Sequence, residues 1–147
     1  MKKLSILLIF NVFFCFSQSK TISDFDKLIE ANPNDISNYY SRGLLRAAKT
    51  DYAGAIRDFD IVISNNKRDL EALYNRALAK AELDDFTGAI FDLTKILKFD
   101  SKKSDIYFKR SFLYASLGDK TNACLDARKA YSLGLSDAKS LIDMLCN

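Results

Sequence analysis

The sequence predicts an all-α protein, an α-solenoid in which helix-turn-helix units stack in a row. Three observations support this fold class. Related ten-residue segments recur every thirty-four residues, as DYAGAIRDFD (51–60), DFTGAIFDLT (85–94) and DKTNACLDAR (119–128). Each period contains two runs of apolar residues at helical spacing, joined by a short polar turn. Small residues recur at positions where two paired helices would have to approach closely.

The period divides most of the chain into three units, residues 36–69, 70–103 and 104–137. The turns between the two helices of each unit read KTD, LDD and LGD. The small residues are Gly43, Ala77 and Ser111 in the first helices and Ala55, Ala89 and Ala123 in the second helices. Because a single helix pair cannot bury its apolar face alone, the units are expected to stack on one another.

Aspartates stand immediately before the predicted helices. Asp51, Asp85 and Asp119 precede the second helices, and Asp35 and Asp69 precede the first helices of two units. A carboxylate at this position accepts hydrogen bonds from the free N–H groups of the first helical turn, which stabilises a helix by ~1 kcal/mol. We therefore interpret these five residues as N-caps and not as metal or ligand-binding groups.

A second set of charges recurs within the helices. Arg42, Arg76 and Arg110 each stand sixteen residues before an aspartate, namely Asp58, Asp92 and Asp126. This spacing predicts a partly exposed ion pair in each unit, worth ~0–1 kcal/mol. The alternative is a row of arginines for an anionic partner. Arg46 and Lys80 are interpreted as solvated edge residues, whose stems cover apolar surface.

Residues 1–19 have the order of a signal peptide: two lysines, an apolar run from Leu4 to Phe16, and small polar residues. The apolar run is shorter than the ~20 residues that a membrane-spanning helix needs. We expect cleavage after Ser17 or Ser19, an exported protein that is periplasmic or secreted, and no membrane span afterwards. An uncleaved N-terminal anchor is the alternative.

The remaining composition excludes several classes of function. Without the N-terminal lysines, basic and acidic residues nearly balance and are interleaved, so no nucleic-acid partner is expected. The chain has no histidine, no Cys-x-x-Cys and no glycine-rich phosphate loop. We therefore predict no catalytic residue, no metal site and no cofactor, and hence no enzyme. Cys124 and Cys146 allow two interpretations, small buried residues or a disulfide.

The pattern resembles the tetratricopeptide repeat, which has an aromatic residue at position four, a small residue at eight and alanine at twenty. NYYSRGLLRAAKTDYAGAIRDFD and ALYNRALAKAELDDFTGAIFDLT match it well, whereas the third unit departs from it at Lys120 and Cys124. The resemblance implies a right-handed solenoid. Residues 20–35 match the second half of a repeat and are expected to cap the N-terminus, and an amphipathic helix over 138–147 is expected to cap the C-terminus.

In this family the first helices of successive repeats line a concave, partner-binding face. Carrying those positions across gives a predicted groove of Tyr40, Leu44, Glu71, Tyr74, Leu78, Asp105, Phe108 and Phe112. The positions carried across contain acidic and apolar residues but no lysine or arginine, which favours a protein or peptide partner with an apolar segment and a basic flank. The family variant that holds C-terminal carboxylates uses basic residues where this chain has Tyr40, Leu44 and Asp105. The alternative function is a structural subunit that self-associates through the apolar groove as a homo-oligomer.

Overall fold

The computed structural model of the 147-residue chain describes residues 20–146. The predicted signal peptide, residues 1–19, lies outside the described residues. Within the described range the backbone forms eight helices and no strand. In chain order the helices are α1 (Ile22–Ala31), α2 (Ile36–Ala48), α3 (Tyr52–Asn65), α4 (Leu70–Ala81), α5 (Phe86–Phe99), α6 (Ser104–Ser116), α7 (Lys120–Ser132) and α8 (Ala138–Leu145).

The helices pack in sequence, each against its neighbours in the chain. The pairs α2–α3, α4–α5 and α6–α7 are helical hairpins, and each hairpin lies against the next. At the ends, α1 packs on α2 and α8 packs on α7. This arrangement is the predicted all-α solenoid, since consecutive helices share most of the contact surface and a smaller contact joins α2 to α4.

Most of these helices have a side-chain cap at their N-terminus. All five aspartates interpreted as N-caps accept a hydrogen bond from a backbone N–H of the helix that follows, which confirms that interpretation. Thr21 caps α1 in a reciprocal capping box with Asp24. The first helix of the third unit differs, because Lys103 holds its N-cap position and makes no side-chain capping bond.

The small residues allow the helices of each hairpin to close, as the sequence predicted. All six residues are buried, and Ala55, Ala89, Ala123 and Ser111 have no exposed surface. A Cβ atom added at Gly43 would lie 2.9 Å from Cε1 of the buried Phe59 ring. Larger residues at these positions would therefore hold the helices apart.

The three turns between paired helices share one backbone requirement. Thr50, Asp84 and Gly118 occupy the same place in successive units and have φ angles of +62°, +60° and +76°. Only the third unit places glycine there, the residue that adopts this left-handed conformation without strain. The turn geometry is thus kept by all three units, although the first two use residues that rarely adopt it.

Cys124 in α7 and Cys146, the residue after α8, form a disulfide with their Cα atoms 5.3 Å apart. The sequence left two interpretations of these cysteines open, small buried residues or a disulfide, and the structure contains the disulfide. The bond fixes the end of α8 on the last hairpin, and Ala138 and Leu141 of α8 are buried. Between residues 20 and 146, none of the helices combines the length and apolarity needed to traverse a bilayer.

Candidate functional site

The first helices of the three units border a cavity of about 300 Å³, which we call the first-helix groove. Its lining residues come from α2, α4, α5 and α6 and from the turn before α6. They are Tyr40, Leu70, Glu71, Tyr74, Asn75, Ile96, Lys103, Asp105 and Ile106. The groove therefore combines an apolar floor with a few polar groups that converge on it, as small binding sites in proteins commonly do.

The hydroxyl of Tyr40 is the best-defined polar group in the first-helix groove. It accepts a hydrogen bond from Nδ2 of Asn75 at 3.1 Å and donates one to Oε2 of Glu71 at 3.3 Å. Partial burial, followed by the negative charge of Glu71, raises the pKa of Tyr40 above its usual value. The two hydrogen bonds hold the hydroxyl across the junction of the first two units.

Four of the eight predicted groove residues line this cavity: Tyr40, Glu71, Tyr74 and Asp105. The other four extend along the same helices beyond it, at Leu44, Leu78, Phe108 and Phe112. Phe108 packs edge-on against Phe112, with ring centroids 4.9 Å apart.

Three of the predicted residues form an exposed apolar row. Leu44, Leu78 and Phe112 hold the same place in successive units and expose 40%, 39% and 47% of their surface. Each lies one helical turn after an aromatic residue of the predicted groove, namely Tyr40, Tyr74 or Phe108. The three side chains therefore lie on the same side of the solenoid. We call this row the apolar ladder.

The groove contains cations that the sequence interpretation did not include. Lys103 lines the cavity beside Asp105, and the ammonium group of Lys109 lies 5.8 Å from the centroid of the Tyr74 ring. Lys103 was missed because it stands in the turn before α6, and Lys109 because only every third or fourth helical position was assigned to the face. The lining of the cavity therefore has two acidic residues, Glu71 and Asp105, and one basic residue, Lys103, and Lys109 adds a second cation beside Tyr74.

The predicted Arg–Asp ion pair forms in all three units. Its aspartate is buried, which corrects the prediction of a partly exposed pair. Asp58, Asp92 and Asp126 expose only 1%, 0% and 6% of their surface. Each accepts hydrogen bonds on both carboxylate oxygens from the arginine sixteen residues earlier. A buried carboxylate needs such a partner because removal from water penalises its charge.

Arg46 and Lys80 also belong to these clusters, so their interpretation as solvated edge residues was wrong. Arg46 lies 2.9 Å from Oδ2 of Asp58, and Lys80 lies 2.8 Å from Oδ2 of Asp92. Both side chains are mostly buried, with 18% and 16% exposed. The third unit has Tyr114 at the corresponding place, so Asp126 is held by one arginine.

The same arginines join neighbouring units. Arg42 also donates to Asp26 of the preceding helix, Arg76 to Asp60, and Arg110 to the hydroxyl of Thr94.

The pKa of each arginine reflects these hydrogen bonds. Hydrogen bonds to Asp58 and Asp126 raise the pKa of Arg42 and Arg110. Burial acts against the charge of Arg76, but its bonds to Asp92 and Asp60 raise its pKa on balance. All three guanidinium groups are committed to structural bonds, which argues against the hypothesis that they form an arginine row for an anionic partner.

Comparison with known proteins agrees with this architecture. A family model described as the tetratricopeptide repeat matches residues 104–133. This is the unit whose sequence departs most from the repeat pattern, at Lys120 and Cys124. No curated protein sequence matches the chain.

Solved structures share the fold. A crystal structure of MamA superposes with a TM-score of 0.73 at 21% identity, covering 85% of this chain and 80% of that one. MamA from Desulfovibrio magneticus gives 0.72 at 20% identity over 76% and 63% of the two chains. The tetratricopeptide-repeat domain of Arabidopsis OM64 gives 0.68 at 25% identity over 75% and 93%. Residues 104–133 thus match the tetratricopeptide repeat, and the described part of the chain has the fold of solved tetratricopeptide-repeat structures.

Proposed function

We propose that the protein is an exported, non-catalytic interaction module that binds a polypeptide segment along the first-helix groove and the apolar ladder. The observation that carries this proposal is the exposure of Leu44, Leu78 and Phe112 next to a groove with oriented polar groups. Exposed apolar side chains arranged in one row are a common feature of protein-binding surfaces.

The composition of this surface favours a segment with apolar anchors and a basic flank. Apolar side chains of the partner would pack on Leu78 and Phe112, where burial of aromatic and aliphatic groups provides most of the binding free energy. Glu71 and Asp105 at the groove would attract the basic flank and fix its orientation. The Tyr40 hydroxyl and the Asn75 amide offer hydrogen-bonding partners for the peptide backbone.

Export is supported by two independent features. The order of charged, apolar and small residues in 1–19 is that of a signal peptide. The second feature is the Cys124–Cys146 disulfide, because disulfides form and persist in oxidising compartments such as a periplasm or the cell exterior. We propose cleavage after Ser17 or Ser19. N-terminal sequencing of the protein isolated from its native host tests this, and a mature chain that begins at Met1 would contradict it.

Variants of the apolar ladder test the binding surface. Leu78→Ala combined with Phe112→Ala should abolish capture of native envelope proteins, since it removes exposed anchors without opening the core. Leu83→Ala with Leu117→Ala is the matched control, because these leucines are similarly exposed at 50% and 49% but lie in the turns between helices. Proteins retained by the control and lost by the ladder variant are the specific partners. Equal capture by both variants would place the interface elsewhere.

Self-association through the apolar ladder is the second candidate function, favoured by the same exposed row. Sedimentation velocity over a range of protein concentrations distinguishes the two. A monomer at all concentrations removes this candidate. An oligomer that the ladder variant dissociates, and the turn control does not, supports it over a foreign partner.

A further inference from the structure

A second groove lies on the opposite helices of the solenoid, between α3 and α5. Its volume is about 610 Å³, and we call it the second-helix groove. The residues that line it are Asp60, Ile63, Ser64, Lys67, Arg76, Lys95, Lys98 and Phe99. It is separate from the first-helix groove, since the two share no lining residue.

The floor of the second-helix groove is apolar. Ile63 is nearly buried, whereas Phe99 leaves 42% of its surface exposed. The guanidinium group of Arg68 lies 4.9 Å from the Phe99 ring centroid and restricts one side of it. A cavity of this size and composition accommodates a bulky apolar side chain, which would cover the exposed ring.

The rim of the same groove is strongly basic. Arg76 is neutralised by its ion pairs with Asp60 and Asp92. Lys67, Lys95 and Lys98 remain, and none of the three forms an ion pair with any residue between 20 and 146. Three positive charges around one cavity repel each other, so an anionic occupant would be stabilised there.

The repeat itself does not require these lysines. One period earlier in the chain, Pro33, Ile61 and Ser64 stand at the places of Lys67, Lys95 and Lys98. One period later the corresponding residues are Ser101, Lys129 and Ser132. The middle junction therefore has three lysines at these places, whereas the junction before it has none and the junction after it has only Lys129.

We propose that the second-helix groove is a second docking site, for an acidic polypeptide segment that carries one bulky apolar side chain. The apolar side chain packs on Ile63 and Phe99, while aspartates or glutamates on either side pair with the three lysines. A peptide fits better than an anionic membrane, because the apolar surface lies inside a cleft that a side chain can enter and a bilayer surface cannot. This site takes acidic segments, whereas the first-helix groove, with Glu71 and Asp105, attracts basic ones.

A labelled peptide tests the docking site directly. The probe is a fluorescein-labelled peptide with one phenylalanine flanked by glutamates, titrated with the full mature protein by fluorescence anisotropy at low salt. Changing Lys67, Lys95 and Lys98 to glutamine should weaken binding about tenfold or more, and added salt should weaken binding to the unaltered protein. Lys120→Gln with Lys129→Gln is the control for charge, since both lysines are exposed on the third unit, and it should change affinity less than about twofold.

Alterations of the probe keep the test independent of any effect of the variants on folding. Replacing its glutamates by glutamine, or its phenylalanine by alanine, should each reduce binding to the unaltered protein. Equal binding of either altered peptide would overturn the proposal. The Leu78→Ala and Phe112→Ala variant should bind the acidic peptide normally, and loss of binding there would move the peptide to the first-helix groove and overturn the second site.

Two further outcomes would also overturn the proposal. Phosphatidylserine vesicles that bind in a lysine-dependent manner, while the peptide does not, would assign the basic rim to a membrane surface. Sedimentation showing that the triple glutamine variant dissociates an oligomer would assign it to a second copy of the chain.

Discussion

The buried aspartate of each unit pairs with different numbers of cations in the first two units and in the third. In the first two, a buried carboxylate receives two cations, Arg42 and Arg46 on Asp58 and the equivalent pair on Asp92. In the third, Arg110 alone holds Asp126, and Tyr114 lies beside the guanidinium at 5.7 Å.

The third unit differs at both of its ends as well. Lys103, the residue before its first helix, makes no side-chain capping bond, and its second helix is linked by the Cys124–Cys146 disulfide to the residue after α8. The backbone arrangement therefore tolerates loss of a cap and of a buried cation. The middle of the solenoid is stabilised by ion pairs between neighbours, whereas its C-terminal end has a covalent bond.

Removing the disulfide should have the largest effect on this comparison. Cys124→Ser with Cys146→Ser opens a link between residues 22 apart and should lower the free energy of unfolding by about 3 kcal/mol. Urea unfolding measures the loss. Hydrogen exchange should accelerate in α7 and α8 more than in α2 and α3, since each unit contacts only its neighbours. Uniform acceleration along the chain would show that the ends are not stabilised separately.

Neutralising the buried carboxylates should have the next largest effect. Asp92→Asn leaves Arg76 and Lys80 without their counter-ion and should cost about 2–3 kcal/mol, since both cations can turn partly outward. Asp126→Asn leaves one cation and should cost about 1 kcal/mol. Equal losses in urea unfolding would indicate that the second cation contributes nothing.

Overpacking should affect the two regions equally. Ala89→Phe forces a large side chain between α4 and α5 and should cost about 2 kcal/mol. Ala123→Phe is the matched change in the third unit, where the alanine is likewise fully buried. Thermal unfolding of both variants provides the measurement. A melting curve unchanged by either substitution would contradict the close helix contact in that unit.

Adding the missing cap should have the smallest effect, and it should be favourable. Lys103→Asp gives α6 the residue that Asp35 and Asp69 give α2 and α4, and should raise the free energy of unfolding by about 0.5–1 kcal/mol. Lys103→Ala separates this gain from the loss of the lysine charge beside Asp105. If the alanine variant gains as much stability as the aspartate variant, the cap is not the cause.

The features that depend on local rules were predictable from the sequence. Asp51, Asp85 and Asp119 could be assigned as caps because an N-cap acts within a single turn of the chain. Gly43 and Ala89 could be assigned to the helix contact because their period fixes which face they occupy. The eight groove residues remain a prediction as a binding site, although the structure shows where each of them lies.

The features that depend on how far side chains reach across the hairpin were not predictable. Arg46 meets Asp58 twelve residues away, and only the crossing of the two helices decides whether its head turns to the carboxylate or to water. Lys103 lines the first-helix groove from the turn before α6, and helical periodicity does not predict the direction of a side chain in a turn. The disulfide requires α8 to fold back on α7, which the spacing of Cys124 and Cys146 does not specify.

The bonds between neighbouring units make the solenoid extensible. Arg76 takes one partner from its own hairpin and one from the hairpin before it, and Arg110 does the same with Asp126 and Thr94. A duplicate of residues 70–103 inserted after residue 103 would bring its own arginine and aspartate, and that arginine would meet Thr94 as Arg110 now does. The chain could therefore be lengthened by whole hairpins without a redesigned junction, which would give a longer binding surface from the same parts.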